Sequence, residues 1–128
     1  MEYLLDTVTL VRYLSNSGKL SPKVKEIFDC SERFECVFAI STISLMEIMY
    51  LAEKNRISIS LEETLERIRF STMYKIMNLS TEIIQTAQTV RFYEMHDRLI
   101  LATAKYLNIP IISPDNQFKN IEGIEVIW

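Results

Sequence analysis

Glycine and proline are scarce in this chain, with 2 and 3 among 128 residues. So few turn formers leave little room for flexible linkers or for the turn-dense pattern of an all-β sandwich. Histidine occurs once and cysteine twice, with no CxxC pair, which removes the ligand set of a structural zinc site. Cys30 and Cys36 make no disulfide framework, and Cys36, at the edge of an apolar run, is expected as a buried free thiol. No apolar run reaches the roughly 18 residues of a membrane span. The opening Met1-Glu2-Tyr3-Leu4-Leu5-Asp6 lacks a basic region and meets an acid at once, so no secretory leader is expected and the chain reads as cytoplasmic. Neither GxxxxGK[ST] nor GxGxxG is present, so a glycine loop cradling a nucleotide is excluded. A surplus of positive charge is also missing: 14 Lys and Arg face 17 Asp and Glu, for a net charge of −3. That excludes a basic protein that coats nucleic acid, but not an enzyme with local acidic and basic patches.

What is present fits one domain over residues 1–128, with 48% hydrophobic and 24% charged residues. Tyr3-Leu4-Leu5 reads as a buried strand that stops at Asp6. Val8, Leu10, Val11 and Leu14 follow at helical spacing, with Gly18 as the expected stop. Ser21-Pro22 starts a helix over about 22–32. Cys36–Thr42 is a continuous apolar run of the kind buried on both faces of a parallel sheet. Ser44 with Glu47 reads as a capping box for the next helix, and Ser60 with Glu63 as another over about 61–70. Tyr74–Leu79 is a strand candidate, and a helix begins at Ser80. His96-Asp97 opens an apolar helix closed by Asn108. Ile109–Ser113 and Glu125–Trp128 are the last strands, separated by a turn or short helix at Pro114–Phe118. The alternation predicts βαβ units: an α/β domain, its parallel sheet covered by helices on both faces.

Four acids then stand out by position. Asp6 and Asp115 follow predicted parallel strands, Glu47 lies early in the helix after the second strand, and Asp97 starts a helix leading back into the sheet. The carboxyl edge of an open α/β sheet is where ligands bind. Each acid also has an ordinary use: Asp6 as a helix cap, Glu47 as the partner in its capping box, Asp97 as a dipole-favoured helix-start acid, and Asp115 in an Asx turn. Four carboxylates at one edge raise each other's pKa unless a cation neutralises them. Oxygen donors without His or Cys suit Mg²⁺ or Mn²⁺, and such sites perform phosphoryl transfer or phosphodiester hydrolysis. A haloacid-dehalogenase-type phosphatase wants a second Asp where Val8 stands, and the acids and late Lys of a response-regulator receiver are not visible.

The ordered set Leu4-Leu5-Asp6-Thr7, Ser44…Glu47-Ile48, Asp97–Ala104, Ile111-Ile112-Ser113-Pro114-Asp115 and Val126-Ile127-Trp128 resembles the PIN-domain ribonucleases. Within them it is most similar to the VapC-type toxins of toxin–antitoxin pairs, over residues 3–128. The resemblance implies a three-layer α/β/α domain with a mainly parallel sheet of about five strands. It implies Mg²⁺- or Mn²⁺-dependent endonucleolytic cleavage of RNA, by in-line attack of an activated water that leaves a 5′-phosphate and a 3′-hydroxyl. Asp6, Glu47, Asp97 and Asp115 match the acidic quartet, as catalytic and metal-holding residues. Thr7 and Ser113 match hydroxyls that support the carboxylates. Two positions depart from the family pattern: Glu94-Met95 stands where Asp-Pro is common, and Pro114 precedes the fourth acid. Arg98, Arg12, Arg91 and Lys119 are the cations nearest these motifs and are candidate phosphate contacts, Arg98 first. His96 is read as incidental.

The resemblance also implies a homodimer, a cognate antitoxin protein docked near the acids, and a transfer or ribosomal RNA substrate. Met46, Met49, Tyr50 and Leu65 are candidates for the antitoxin groove. An alternative is a PIN-like binding module that holds RNA or a protein without cleaving anything. The presence of all four acids favours the enzyme.

Overall fold

Where the apolar runs carry side chains that can be buried on both sides, strands form. In the computed structural model, which describes residues 1–128, these are β1 (Glu2–Leu5), β2 (Val37–Ser41), β3 (Tyr74–Met77), β4 (Ile111–Ile112) and β5 (Val126–Ile127). The helices between them are α1 (Thr7–Ser15), α2 (Pro22–Glu32), α3 (Thr42–Glu53), α4 (Leu61–Arg69), α5 (Thr81–Ala87) and α6 (Met95–Leu107), with a 3₁₀ turn at Asn116–Phe118. The strands form one sheet in the order β3-β2-β1-β4-β5, and every pairing is parallel. No helix is long and apolar enough to cross a membrane.

Successive strand residues point to opposite faces, which divides the core in two. Tyr3, Leu5, Phe38, Ile40 and Ile112 pack with Leu10, Leu14, Val24, Phe28, Ile48 and Ile68 from α1 to α4. Leu4, Ala39 and Ile111 face the other way, against Ile83, Ala87, Ile100, Leu101 and Ala104 from α5 and α6. Two helical layers thus enclose the sheet. Each fully buried Leu, Ile or Phe contributes about 1.5–3 kcal/mol from apolar area.

The chain winds outward from β1 through β2 to β3, then crosses back to place β4 on the other side of β1. The order reverses between β1 and β4, and at such a switch point a crevice opens outside the carboxyl ends of the strands. Leu5 pairs with Ile112. Asp6 and Ser113, one residue further on, therefore leave the sheet side by side.

Four local expectations are corrected. The first helix ends at Asn16, left-handed at φ 52°, rather than at Gly18, because Asn tolerates that conformation and closes the carbonyls of Arg12 and Tyr13. The cap of α3 is Ser41, whose hydroxyl accepts from the Ile43 N–H, so Ser44 and Glu47 form no capping box. The last two strands are only two residues each. Cys30 and Cys36 are joined in a disulfide. The turn after α2, with Phe34 left-handed at φ 61°, doubles the chain back and brings the two Cα atoms to 5.9 Å, within bridging range. Cys36 is buried as expected, but it is not a free thiol.

Candidate active site

Asp6 ends β1 and caps α1, and both its oxygens are held. Oδ1 accepts from the Thr9 N–H at 2.8 Å, and Oδ2 accepts from the Ser113 hydroxyl at 2.5 Å. Asp6 as a whole residue is 5% exposed. Its ordinary use as a cap and its place at the sheet edge coexist in one residue. Ser113 also accepts the Asp115 N–H at 3.1 Å, so one hydroxyl ties together the acids that follow β1 and β4. Asp115 in turn accepts from the Gln117 N–H at 2.9 Å, the Asx-type cap of the 3₁₀ turn.

Glu47 is the sixth residue of α3 and is reached from α1. The Thr7 hydroxyl donates to its Oε1 at 2.5 Å and lies 2.9 Å from the Ser44 hydroxyl. A hydroxyl has one proton, and the carboxylate can only accept. Thr7 therefore gives its proton to Glu47, and Ser44 supplies the proton shared with Thr7. The other Glu47 oxygen is 3.8 Å from His96 Nδ1. Asp97 lies in the first turn of α6, where its N–H donates to the capping carboxylate of Glu94 at 2.7 Å.

Asp6, Glu47, Asp97 and Asp115 line a single cavity of about 410 Å³, with Arg12 at its edge and Phe118 in its wall. Burial, followed by the charges of Glu94, Glu47, Asp115 and Asp6, pushes Asp97 up to about 6. Asp6 is also raised, by burial first and by Asp115 in smaller part, against the lowering effect of its hydrogen bonds to Ser113 and Thr9. The cavity is thus short of positive charge. As the side chains lie, no three of the acids stand close enough together to hold a metal ion. The oxygen-only donor set and the mutual repulsion both fit a hydrated divalent cation.

The four cations singled out in the sequence are placed differently from one another. Arg12 borders the acidic cavity. Arg98 does not: its Nε donates to the Ala87 carbonyl at 2.8 Å and ties α6 to α5. Neighbours in a helix diverge by about 100°, so adjacency to Asp97 puts Arg98 on another side. Arg91 shares a shallow hollow with Arg98 and Tyr93, away from the acids, and Lys119 is exposed beyond the 3₁₀ turn. Beside Glu47, an apolar hollow of about 380 Å³ is lined by Met46, Met49, Tyr50, Leu51 and His96. Leu65 is half-buried on α4 and takes no part in it.

Two residues named in the sequence contribute in ways it did not specify. Ser44 was placed as a cap, yet it is buried inside α3 behind Thr7. Glu94 caps the helix that carries Asp97 and adds to the negative charge there. Its position, three residues before an acid that opens an apolar helix, was the available signal.

Comparison with known proteins agrees with the fold. A chain of VapBC2 from Rickettsia felis, crystallised with a DNA fragment from its promoter, superposes with a TM-score of 0.74 at 20% identity, covering 100% of this chain and 99% of that one. A DNA-bound VapBC from Salmonella typhimurium gives 0.73 at 22%, over 99% and 97%. A toxin–antitoxin complex from Klebsiella pneumoniae gives 0.65 at 27%, over 98% and 96%. No curated protein matches the sequence. The PIN domain family matches residues 3–124, from β1 to just short of β5. On that match, which takes in all four acids, the chain belongs to the PIN domain family.

Proposed function

We propose that this PIN domain is a Mg²⁺- or Mn²⁺-dependent endoribonuclease, the toxin of a toxin–antitoxin pair. PIN domains are generally nucleases, and the neighbouring folds come from toxin–antitoxin complexes. The single observation that carries the reading is the cavity at the β1/β4 switch point, walled by four acids and short of countercharge. A divalent cation, when bound there, supplies charge neutralisation and Lewis-acid polarisation of a phosphodiester. Asp6 and Asp97 are the central candidates to hold it, with Glu47 and Asp115 as further oxygen donors.

The chain's own groups have separable tasks. Ser113 and the Thr9 N–H fix Asp6 in place and offset part of the rise that burial imposes on it. Thr7, itself held by Ser44, fixes one Glu47 oxygen and leaves the other to orient the attacking water. In the hydrolysis, water oxygen bonds to phosphorus, the bond from phosphorus to the 3′ oxygen breaks, and that oxygen leaves as a hydroxyl after taking a proton. Arg12, at the edge of the acids, is placed to meet a neighbouring phosphate.

The apolar hollow beside Glu47 is the proposed seat of the antitoxin. Met46, Met49 and Tyr50 are 38%, 40% and 52% exposed there, and a segment laid over them would also cover the cavity mouth. A homodimer with transfer or ribosomal RNA as substrate completes the reading.

The test is cleavage of total RNA by purified protein, freed of any antitoxin, in Mg²⁺, in Mn²⁺ and in EDTA. Discrete products with either metal, lost in EDTA and in Asp6→Asn, are expected. RNA bound but uncleaved in every condition by folded protein would reject the enzyme in favour of a binding module.

A further inference from the structure

A second cavity is larger than the acidic one. It has a volume of about 560 Å³ and lies between α1, the α1–α2 connection and the start of α2. Its charged lining residues are Arg12, Lys19 and Lys25, with no acid among them. In a chain with a net charge of −3, that is a local reversal of sign. Neither Lys19 nor Lys25 is engaged in an ion pair.

The backbone is shaped around one of these cations. Asn16 and Gly18 are both left-handed, at φ 52° and 69°, and curl the connection back onto the last turn of α1. There the Lys19 carbonyl accepts from Arg12 Nη1 at 2.9 Å, and the guanidinium lies 5.7 Å from the Trp128 ring centroid. A Cβ on residue 18 would come within 2.9 Å of Arg12 Nε, so the chain passes where only glycine fits. A guanidinium has five N–H donors, and the Lys19 carbonyl takes one. Arg12 also lines the acidic cavity, so the two cavities adjoin through a single fixed side chain.

We propose that this basic cavity binds the RNA backbone, taking phosphates that neighbour the scissile one and leading the strand across Arg12 to the acids. The proposal rests on the ribonuclease reading and deepens it by placing the substrate. A polyanion is repelled by four carboxylates and needs cations within a nucleotide or two of them. Arg12 lines the acidic cavity itself, and Lys19 and Lys25 line the one that shares Arg12 with it. Lysines on long stems hold phosphates as point charges without reading bases, so the contact is independent of sequence.

The experiment is fluorescence anisotropy of labelled polyuridylate with the full chain in EDTA, across a salt series, where binding is read without cleavage. Lys19→Gln/Lys25→Gln is expected to bind about tenfold more weakly, with a log–log salt slope shallower by roughly 0.7 for each cation removed. Lys23→Gln/Arg69→Gln removes the same charge from residues outside the cavity and is expected to match the unchanged protein within about twofold. Equal binding by the Lys19/Lys25 variant would overturn the proposal, as would an equal loss in the control. Polyglutamate competing as well as polyuridylate would also overturn it, by assigning the cavity to an acidic protein. The cavity proposal fails alone if the unchanged protein cleaves RNA with metal and the variant keeps its salt slope. Loss of binding in the variant with no cleavage by the unchanged protein would keep the phosphate site and reject the nuclease.

Discussion

Two cavities meet at Arg12, and they are built on opposite terms. In the acidic one, side chains are buried or half-buried and gripped: Asp6 by Ser113 and Thr9, Glu47 by Thr7, and Thr7 by Ser44. In the basic one, Lys19 and Lys25 are long, exposed and ungripped, and Arg12 alone is pinned. Positioning reacting groups requires fixed geometry, at a cost in desolvation and like-charge repulsion that the raised Asp97 registers. Holding a polyanion requires only charge within reach. Conservative changes should therefore be tolerated in the second cavity and not in the first.

The contrast can be broken or sharpened in order of expected effect. Asp6→Asn keeps a good helix cap and should retain the fold by circular dichroism, yet lower RNA cleavage by about 10³-fold or more. Activity within tenfold of the unchanged protein would remove Asp6 from the site. Thr7→Val, of similar shape, frees Glu47 and should lower cleavage about 10–100-fold, as loss of a group orienting a ligand does. Thr7→Ser, which restores the hydroxyl, should recover most of it; equal losses in the two variants would point to packing instead. In the basic cavity, Lys19→Arg/Lys25→Arg should leave KM within about twofold, whereas the double change to Gln raises it about tenfold with kcat unchanged. A fall in kcat with steady KM would contradict a role in binding alone.

The smallest effect is on stability. Asp97 is raised from 3.8 to about 6, so the folded chain holds this proton to higher pH than the unfolded chain does. Metal-free protein should then lose stability as pH rises from about 4 through about 6, and no further from this group above that. Melting in EDTA at stepped pH should show the trend, and Asp97→Asn should flatten it. An unchanged slope in that variant would mean that other groups carry it.

The fold was legible because both faces of the sheet are covered. Leu4 and Leu5, or Ala39 and Ile40, are buried on opposite sides, and such strands read as unbroken apolar runs without any partner being known. The acids at strand ends were legible for a related reason: a carboxylate directly after a buried run sits at the sheet edge. Side-chain direction was not legible. Ser44 satisfies the Ser-x-x-Glu pattern, but β2 stops at Ser41, and only the strand end decides which serine caps. Arg98 adjoins Asp97 in sequence and still turns to the Ala87 carbonyl. Lys19 and Lys25 carry no motif, since their cavity arises from a left-handed turn at Asn16 and Gly18 that joins separate elements. The Cys30–Cys36 pairing likewise depended on how the chain doubles back at Phe34.

The bond from Ser113 to Asp6 joins residues 107 positions apart. The same clasp includes the Asp6 N–H on the Ile112 carbonyl and the Thr9 hydroxyl on that carbonyl. Contacts of such sequence separation close a long loop and form only once both ends of it exist. On the ribosome, the first ten residues emerge early and wait for residues 111–115 before the edge of the sheet can assemble. The acidic cavity is thus missing for nearly the whole of the chain's synthesis, and whatever chemistry it performs begins only when the last strands have joined the sheet.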